Sequence, residues 1–368
     1  MFAGARYLSP LKGSRYGAPG FVHRARYMER IDPPLVSRGS EAQARRIGLP
    51  WLGVARWTLG IGLIAYLTWS TAIEWSKLLH LANALPFTAL ALLLLFMAVL
   101  GTSWRFCLLL SSVGLHLSLG ASLRLSLIGG FFNTFLPGLN GGDLVRIYLV
   151  TQPYAGERTK VVATLLLDRL VGLAALMFLP LPLALFHSDI LIGNPTLVGL
   201  LTVAAVGSLG LMVLLFGIGR WATLFTATLR MVRLVRLRAL GEGFFATMQV
   251  HGQSRRAMLL ASGISLAVQT LVICAFEVIL RGNGASSTSW QAALLTPFGM
   301  LANALPLTPG GLGVGEAVFE RLFLLVGVAG GAEAILSWRL LTTLIDLGGG
   351  VSFLLSRTEI KMTGQMSA

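Results

Sequence analysis

The groups most able to do chemistry in this sequence are charged side chains within long apolar stretches. Arg169 and Arg339 each lie in an apolar segment, and each follows a region that contains a carboxylate, Asp143 or Glu316. A charge is costly inside a lipid bilayer, and a guanidinium binds phosphate through two parallel hydrogen bonds. We therefore predict that the two arginines bind an anionic group and that the two carboxylates orient them.

Two segments rich in glycine and proline carry further polar groups. The first reads FFNTFLPGLNGGD and the second reads LANALPLTPGGLGVGE. Asparagine amides, and backbone N–H groups freed where a helix breaks, can donate hydrogen bonds to oxygen atoms of a ligand. The predicted ligand-binding residues are therefore Asn133, Gly141, Gly142, Asp143, Arg146, Asp168, Arg169, Asn303, Pro309, Gly310, Gly311, Glu316 and Arg339.

A structural role is the alternative for the same residues. The acids can pair with the arginines only to hold each broken segment against the next helix, or can cap the helix that follows the Gly-Gly pair. Asn133 and Asn303 can simply satisfy the backbone of the broken helices. The two roles are compatible, and the sequence leaves both open.

Patterns typical of enzymes, metal sites and cofactor sites are missing from the sequence. It contains no Gly-x-Ser-x-Gly, no phosphate-binding loop ending in Gly-Lys-Ser/Thr and no His-Glu-x-x-His. The five histidines are scattered singly and the two cysteines lie in apolar stretches, without the spacing that metal ligands or disulfides need. We expect no catalytic residue, no metal and no cofactor.

Composition indicates the environment in which these groups work. Of 368 residues, 55% are hydrophobic and only 12% are charged, and the mean hydropathy is +0.76. Such values are typical of a chain that crosses a membrane repeatedly. The net charge of +14 comes from segments between the apolar stretches, which favours contact with anionic lipid and argues against nucleic acid.

Six apolar segments reach the roughly 20 residues that a helix needs to cross a bilayer. They cover about residues 54–73, 87–110, 161–186, 196–217, 257–280 and 333–355. Regions 124–150 and 291–329 are broken by glycine and proline, and broken backbone at membrane depth needs protein around it. We predict an all-α integral membrane protein with six transmembrane helices plus two re-entrant helical hairpins.

The distribution of basic residues supports this count of spans. Cytoplasmic segments of membrane proteins carry an excess of lysine and arginine. With a cytoplasmic N-terminus, only Lys77 and Arg281 of the 29 basic residues fall outside, while Arg169, Arg321 and Arg339 fall within membrane segments. The prediction is a multi-pass protein of the bacterial inner membrane with both termini in the cytoplasm.

The two broken regions also match each other. Gly129-x3-Asn133 and Gly299-x3-Asn303 are each followed by proline and a Gly-Gly pair, and an arginine-bearing span follows each at the same distance. Because an odd number of crossings separates equivalent points, the second half is predicted to be inverted relative to the first. Such repeats place a binding site near the middle of the membrane.

This repeat defines the predicted domains. They are a disordered basic cytoplasmic tail at 1–50, a first membrane repeat at 51–190, an inverted second repeat at 191–357 and a cytoplasmic tail at 358–368. Either Met1 or Met28 can be the start.

Two groups of basic residues outside the broken regions are predicted to contact the membrane surface. Trp104 and Arg105 lie at the cytoplasmic end of the second span, where both residue types act as interface anchors. The loop 220–256 interleaves arginines with apolar residues, as an amphipathic helix on anionic lipid does. Both groups are expected to anchor the protein and not to take part in catalysis.

Several motifs in the sequence are shared with a known family. They are GGFFNTFLPGLNGGDLVRIYLV, LLLDRLVGL, and LPLTPGGLGVGEAVFERLFLLVG with SWRLLTTLID. Together they resemble the lysylphosphatidylglycerol synthetase transmembrane family, also called flippase-like, over about residues 50–356. The resemblance implies movement of a lipid between leaflets, aminoacylated phosphatidylglycerol being the best-known cargo of the family. Because the separate aminoacyltransferase domain is not in this chain, the resemblance does not imply synthetase activity.

The sequence leads to one functional prediction and two alternatives. The prediction is a lipid translocase that moves or binds an amphiphilic envelope lipid with a polar, anionic headgroup. A membrane-embedded enzyme of lipid-linked sugar or phosphate metabolism is one alternative, which the missing catalytic motifs disfavour. An accessory subunit of a lipid synthase is the other, with that lipid-biosynthetic enzyme as its partner, and the inverted repeat disfavours it.

Overall fold

A computed structural model of the chain describes residue 58 and residues 84–135, 141–151, 156–187, 194–222, 235–305, 307–308 and 311–355. Within these residues the secondary structure consists of helices and turns, without strands. The prediction of an all-α protein is confirmed for this part of the chain. The predicted tails at 1–50 and 358–368 lie outside the described residues.

The helices follow one another with short connections. In chain order they are α1 (Leu85–Ser112), α2 (Leu119–Phe135), α3 (Gly141–Thr151), α4 (Arg158–Phe178), α5 (Pro180–Phe186), α6 (Pro195–Phe216), α7 (Val235–Gln253), α8 (Arg255–Gly282), α9 (Ser289–Asn303), α10 (Val314–Leu324) and α11 (Gly331–Leu355).

Five helical segments are long and apolar enough to cross a membrane. They are Leu85–Ser112, Arg158–Phe186, Pro195–Phe216, Arg255–Gly282 and Gly331–Phe353, and they coincide with five of the predicted spans. Large apolar side chains such as Val206 and Leu209 face outward on them. Lipid is the environment that such faces fit. The remaining predicted span, 54–73, lies outside the described residues except for Thr58.

One predicted span is divided in the structure. The predicted helix 161–186 consists of α4 and α5, which meet at Leu179. Pro180 has no N–H to continue the hydrogen bonds of α4, so the helix breaks there and restarts. The two pieces together still have the length of a membrane-crossing segment.

Each broken apolar region contains two helices that pack against each other. α2 and α3 have 17 and 11 residues, and α9 and α10 have 15 and 11. At 1.5 Å per residue even α2 is only about 25 Å long, less than the roughly 30 Å of bilayer hydrocarbon. Neither helix of either pair is therefore long enough to cross a membrane by itself.

Glycine allows the first pair to close tightly. Gly142, at the start of α3, lies against the carbonyl of Gly129 in α2, where a Cβ atom would overlap that oxygen. In the second pair, a glycine with positive φ and a capping carboxylate form the start of the second helix. Gly313 has a φ of 79°, and its N–H donates to Glu316 Oε2 at 2.6 Å, so that Glu316 caps the start of α10.

The helices of the two predicted repeats interleave in the core. α1 packs along α8, and α2 packs along α11. The largest cluster of buried side chains joins α8, α10 and α11, and in it the Phe276 ring stacks on Phe319 with 4.6 Å between centroids. The described helices belong to one unit that covers Pro50–Ala368. The packed pair α2 and α3 is thus held by α11, a helix from a distant part of the sequence.

Candidate functional site

A cavity of about 310 Å³ lies among α1, α2, α3, α4, α8 and α11. Its apolar lining includes Leu95, Val99, Val268, Val272, Trp338 and Ile345. Its polar lining comprises Thr102, Arg105, Ser126, Asn133, Asp143, Arg146, Asp168, Arg169, Thr342 and Asp346. The structure thus brings five of the predicted ligand-binding residues together: Asn133, Asp143, Arg146, Asp168 and Arg169.

Asp143 and Arg169 form an ion pair at this cavity. Arg169 Nη2 donates to Asp143 Oδ1 at 2.5 Å, and the two side chains are 57% and 23% exposed. Asp143 lies in the first turn of α3, where the helix dipole favours a carboxylate. The pair joins α3 to α4, and its exposure leaves the arginine accessible to a ligand.

Arg105 and Asp168 form a second ion pair, which is buried. Arg105 Nε donates to Asp168 Oδ1 at 2.7 Å, and its Nη1 donates to Ser265 Oγ at 2.7 Å. The two charged side chains are only 5% and 2% exposed. The Arg105 guanidinium lies against Gly172, which has no side chain to occupy that space. These contacts tie α1, α4 and α8 together at one wall of the cavity.

The prediction that Arg105 anchors α1 at the membrane surface is therefore wrong. Trp104 is 58% exposed, but Arg105 points into the bundle. Helical periodicity contains the signal that was missed: Arg105 continues the buried stripe of Ala91, Leu95 and Ala98 at intervals of three, four and seven residues. A position near the end of a span suggested an anchor, whereas the face of the helix decides the role.

Arg146 is the least compensated of the three arginines at the cavity. It is 5% exposed, and its Nε and Nη2 atoms are buried without a hydrogen-bond partner among the described residues. The guanidinium carbon lies 4.0 Å above the centre of the Phe106 ring. Asp143 and Asp168, the carboxylates on this wall, are bonded to Arg169 and Arg105 instead. A buried guanidinium without a paired anion is energetically costly.

Asp346 lies on another wall of the cavity, in α11. Its Oδ2 accepts a hydrogen bond from Thr134 Oγ1 of α2 at 3.1 Å, and its carboxylate packs directly on Gly130. Asp346 is not among the ligand-binding residues predicted from the sequence. An acid within an apolar span is by itself a signal for a functional position, and this signal could have identified it.

Polar residues around α9 and α10 form, with Arg339 of α11, a cluster that is separate from the cavity. Arg339 Nη2 donates to Asn303 Oδ1 and to the Gly311 carbonyl, both at 2.7 Å. Arg339 Nε lies 3.3 Å from Oε1 of Glu316, which is fully buried. None of these four residues lines the cavity. The structure does not bring Arg339 and Arg169 into one site, although it pairs each with the predicted acid.

The remaining predicted residues lie at the turns of the hairpins. Gly142 N–H donates to Asn133 Oδ1 at 2.8 Å, so Asn133 ties α2 to the start of α3 while also lining the cavity. Gly141 begins α3. Pro309 and Gly310 lie outside the described residues. Asn133 therefore holds broken backbone, as the structural alternative predicted, whereas Asn303 accepts its hydrogen bond from the Arg339 side chain.

Comparison with known proteins identifies the family. The family described as "Lysylphosphatidylglycerol synthase TM region" matches residues 57–350. A relative from Pyrococcus horikoshii, described as "UPF0104 membrane protein PH1989", is 26% identical over 288 residues, which cover 73% of this chain and 86% of the relative. No solved structure matches the chain. From the match over most of its length, the chain belongs to the lysylphosphatidylglycerol synthase transmembrane family.

Proposed function

We propose that this protein is a flippase-like lipid translocase, without enzymatic activity of its own, whose cavity binds the polar headgroup of an anionic envelope lipid. The observation that carries the proposal is the uncompensated guanidinium of Arg146 at the cavity. A phosphate there would supply the anion that neither carboxylate supplies. A hydrogen bond between charged groups contributes about 1.5–3 kcal/mol, enough to select an anionic headgroup over a neutral one.

The balance of charge at this wall supports an anionic ligand. On this wall Arg105, Arg146 and Arg169 lie with two acids, Asp143 and Asp168, and each of these acids is already bonded to Arg169 or Arg105. The third acid of the cavity, Asp346, lies on another wall and accepts a hydrogen bond from Thr134. The wall of the three arginines therefore carries one positive charge in excess. Because the cavity lies within apolar helices, that charge is screened less than it would be in water.

The size and lining of the cavity support an amphiphile. A volume of about 310 Å³ is at the small end of ligand pockets, so it accommodates a headgroup and not a whole lipid. Apolar side chains line the remainder of the cavity. The acyl chains would then stay in the bilayer while the headgroup crosses between leaflets.

The topology that we propose has six spans, two re-entrant hairpins and an inverted repeat. The short paired helices α2–α3 and α9–α10 support the hairpins, and the mutual packing of α1 and α8, equivalent spans of the two repeats, supports the inversion. The protein would lie in the bacterial inner membrane with both termini in the cytoplasm. Rocking one repeat against the other would expose the cavity to each leaflet in turn.

Transport by purified protein tests the proposal. Liposomes that contain the protein and fluorescent lipids with phosphatidylglycerol, aminoacylated or polyprenyl-phosphate headgroups are treated with dithionite, which bleaches only accessible label. We expect protein-dependent loss of protection for an anionic lipid. Arg146→Gln should slow this movement at least about tenfold, since it removes a charged hydrogen bond to the headgroup.

Two control proteins make the result specific. Arg146→Lys keeps the charge but not the planar fork of donors, so we expect an intermediate rate. Arg281→Gln removes an arginine that pairs with Glu277 away from the cavity, and should move lipid at the wild-type rate. Wild-type movement by Arg146→Gln would refute the binding role of Arg146. Chemical alteration of the lipid without movement would establish an enzyme instead.

A further inference from the structure

Asp346 presents a second charge to the cavity, of the same sign as the proposed ligand. It lies on α11, held by Thr134 and packed on Gly130 of α2, whereas Arg146 lies on α3. The ion pairs of the described residues do not include Asp346. Its carboxylate has a hydroxyl donor but no cation, in a site surrounded by apolar helices.

The charged groups around Asp346 are engaged elsewhere or lie on other parts of their helices. α11 packs against α1, α2, α8 and α10. On the first two helices, Arg105 bonds Asp168 and Arg124 Nη2 donates to the Ser352 carbonyl. The charged residues of α8 are Arg255, Arg256, Glu277 and Arg281. Those of α10 are Glu316, Glu320 and Arg321, and α11 itself also carries Glu333 and Arg339. Across the cavity, Asp143 and Arg169 bond each other.

We propose that Asp346 is a proton-binding site linked to headgroup binding, so that an anionic lipid enters the cavity together with one proton. The inference rests on the proposed function. It follows from putting two negative charges, the carboxylate and a phosphate, into one cavity of about 310 Å³. The two negative charges repel each other, so each raises the free energy of the other in the cavity. Transfer of a proton from solvent to the carboxylate removes this repulsion.

Proton binding and lipid binding at the cavity are thermodynamically linked, so each changes the affinity for the other. If lipid binding increases proton binding at Asp346, then a proton on Asp346 increases lipid affinity by the same factor. The neutral carboxylic acid keeps an acceptor for Thr134 and gains an O–H that can donate to a phosphate oxygen. The contact between α2 and α11 therefore survives protonation, while the charge of the cavity changes by one.

Calorimetry with the full-length protein in detergent tests this proposal. Short-chain phosphatidylglycerol is titrated at one pH in two buffers with different ionisation enthalpies, and the difference in heat gives the protons taken up per lipid bound. We expect up to one proton for the wild-type protein and none for Asp346→Asn, which keeps a side-chain oxygen for Thr134. Wild-type affinity should also fall by at most about tenfold per pH unit as pH rises, and that of Asp346→Asn should be constant.

Control variants separate failure of this inference from failure of the proposed function. Glu277→Gln neutralises a carboxylate outside the cavity and should take up the same number of protons as the wild type. Three outcomes would overturn the proton site and leave lipid binding in place. They are proton uptake that persists in Asp346→Asn, lipid binding by the wild type without proton uptake, and a folded Asp346→Asn variant that cannot bind lipid. Lack of phosphatidylglycerol binding by every protein would overturn both. Binding of ammonium-bearing lipid alone would assign Asp346 to the ammonium.

Discussion

At the scale of single residues, the three arginines of the cavity differ in what neutralises them. Arg105 has a buried carboxylate and a serine, Arg169 has a partly exposed carboxylate, and Arg146 has an aromatic ring. A fully satisfied buried charge holds helices together, whereas an unsatisfied one at a cavity favours a ligand. The same side chain therefore has a structural role at one position and a proposed binding role at another.

Removal of one member of the Arg105–Asp168 pair should lower the stability of the protein more than removal of both. Arg105→Gln leaves a buried carboxylate without its cation, at a cost of about 3–5 kcal/mol, and Asp168→Asn leaves the arginine equally uncompensated. The double variant has no buried charge to leave unpaired at this position. We expect its melting temperature in detergent to exceed that of either single variant. Additive destabilisation would show that the two residues are not coupled.

At the scale of helices, the sequence predicts what depends on composition and misses what depends on distant contacts. The predicted spans 87–110 and 257–280 agree closely with α1 and α8, because long apolar runs are a local property. The position of Asp346 beside Thr134 depends on α11 packing along α2, which no local pattern encodes. The cluster around Arg339, which lies away from the cavity, likewise depends on tertiary contacts.

A buried histidine links three helices outside this cavity. His251 of α7, which is not among the membrane-spanning candidates, lies 2.9 Å from Ser112 Oγ of α1 and 3.1 Å from Thr164 Oγ1 of α4. It is fully buried, and burial lowers its pKa from 6.5 to about 4. A neutral imidazole can use one nitrogen as donor and the other as acceptor, so α7 is fixed to the bundle by the uncharged form.

The stability of the protein should therefore fall as pH falls from 6.5 towards 4. In this range the unfolded chain binds a proton at His251 that the folded protein does not, which costs up to about 3 kcal/mol of folding free energy. Melting temperatures of wild type and His251→Gln across this range provide the measurement. The variant should start less stable but lose less on acidification. Parallel curves for the two proteins would assign the acid sensitivity to other groups.

At the scale of the whole molecule, residues at matching positions in the two halves of the sequence make different contacts. In the first half, Asn133 and Arg169 line a cavity; in the second, Asn303 and Arg339 are bonded directly to each other. In the inverted repeat that we propose, halves with different conformations could exchange them, and the cavity would then open to the other leaflet. On this proposal the cluster around Arg339 would be the closed counterpart of the cavity, and not a second part of the same site.

These different contacts predict different effects for Arg169 and Arg339, which occupy matching positions in the sequence. Arg169→Gln removes a cation from the cavity wall, so the affinity for an anionic headgroup should fall by about tenfold or more. Arg339→Gln loosens a hairpin closure outside the cavity, so it should change the rate of lipid movement and leave the affinity nearly unchanged. Titration of each variant with short-chain phosphatidylglycerol, combined with transport in liposomes, separates the two effects. Equal loss of affinity in both variants would instead support a single clamp in which both arginines hold one headgroup, as the sequence alone predicted.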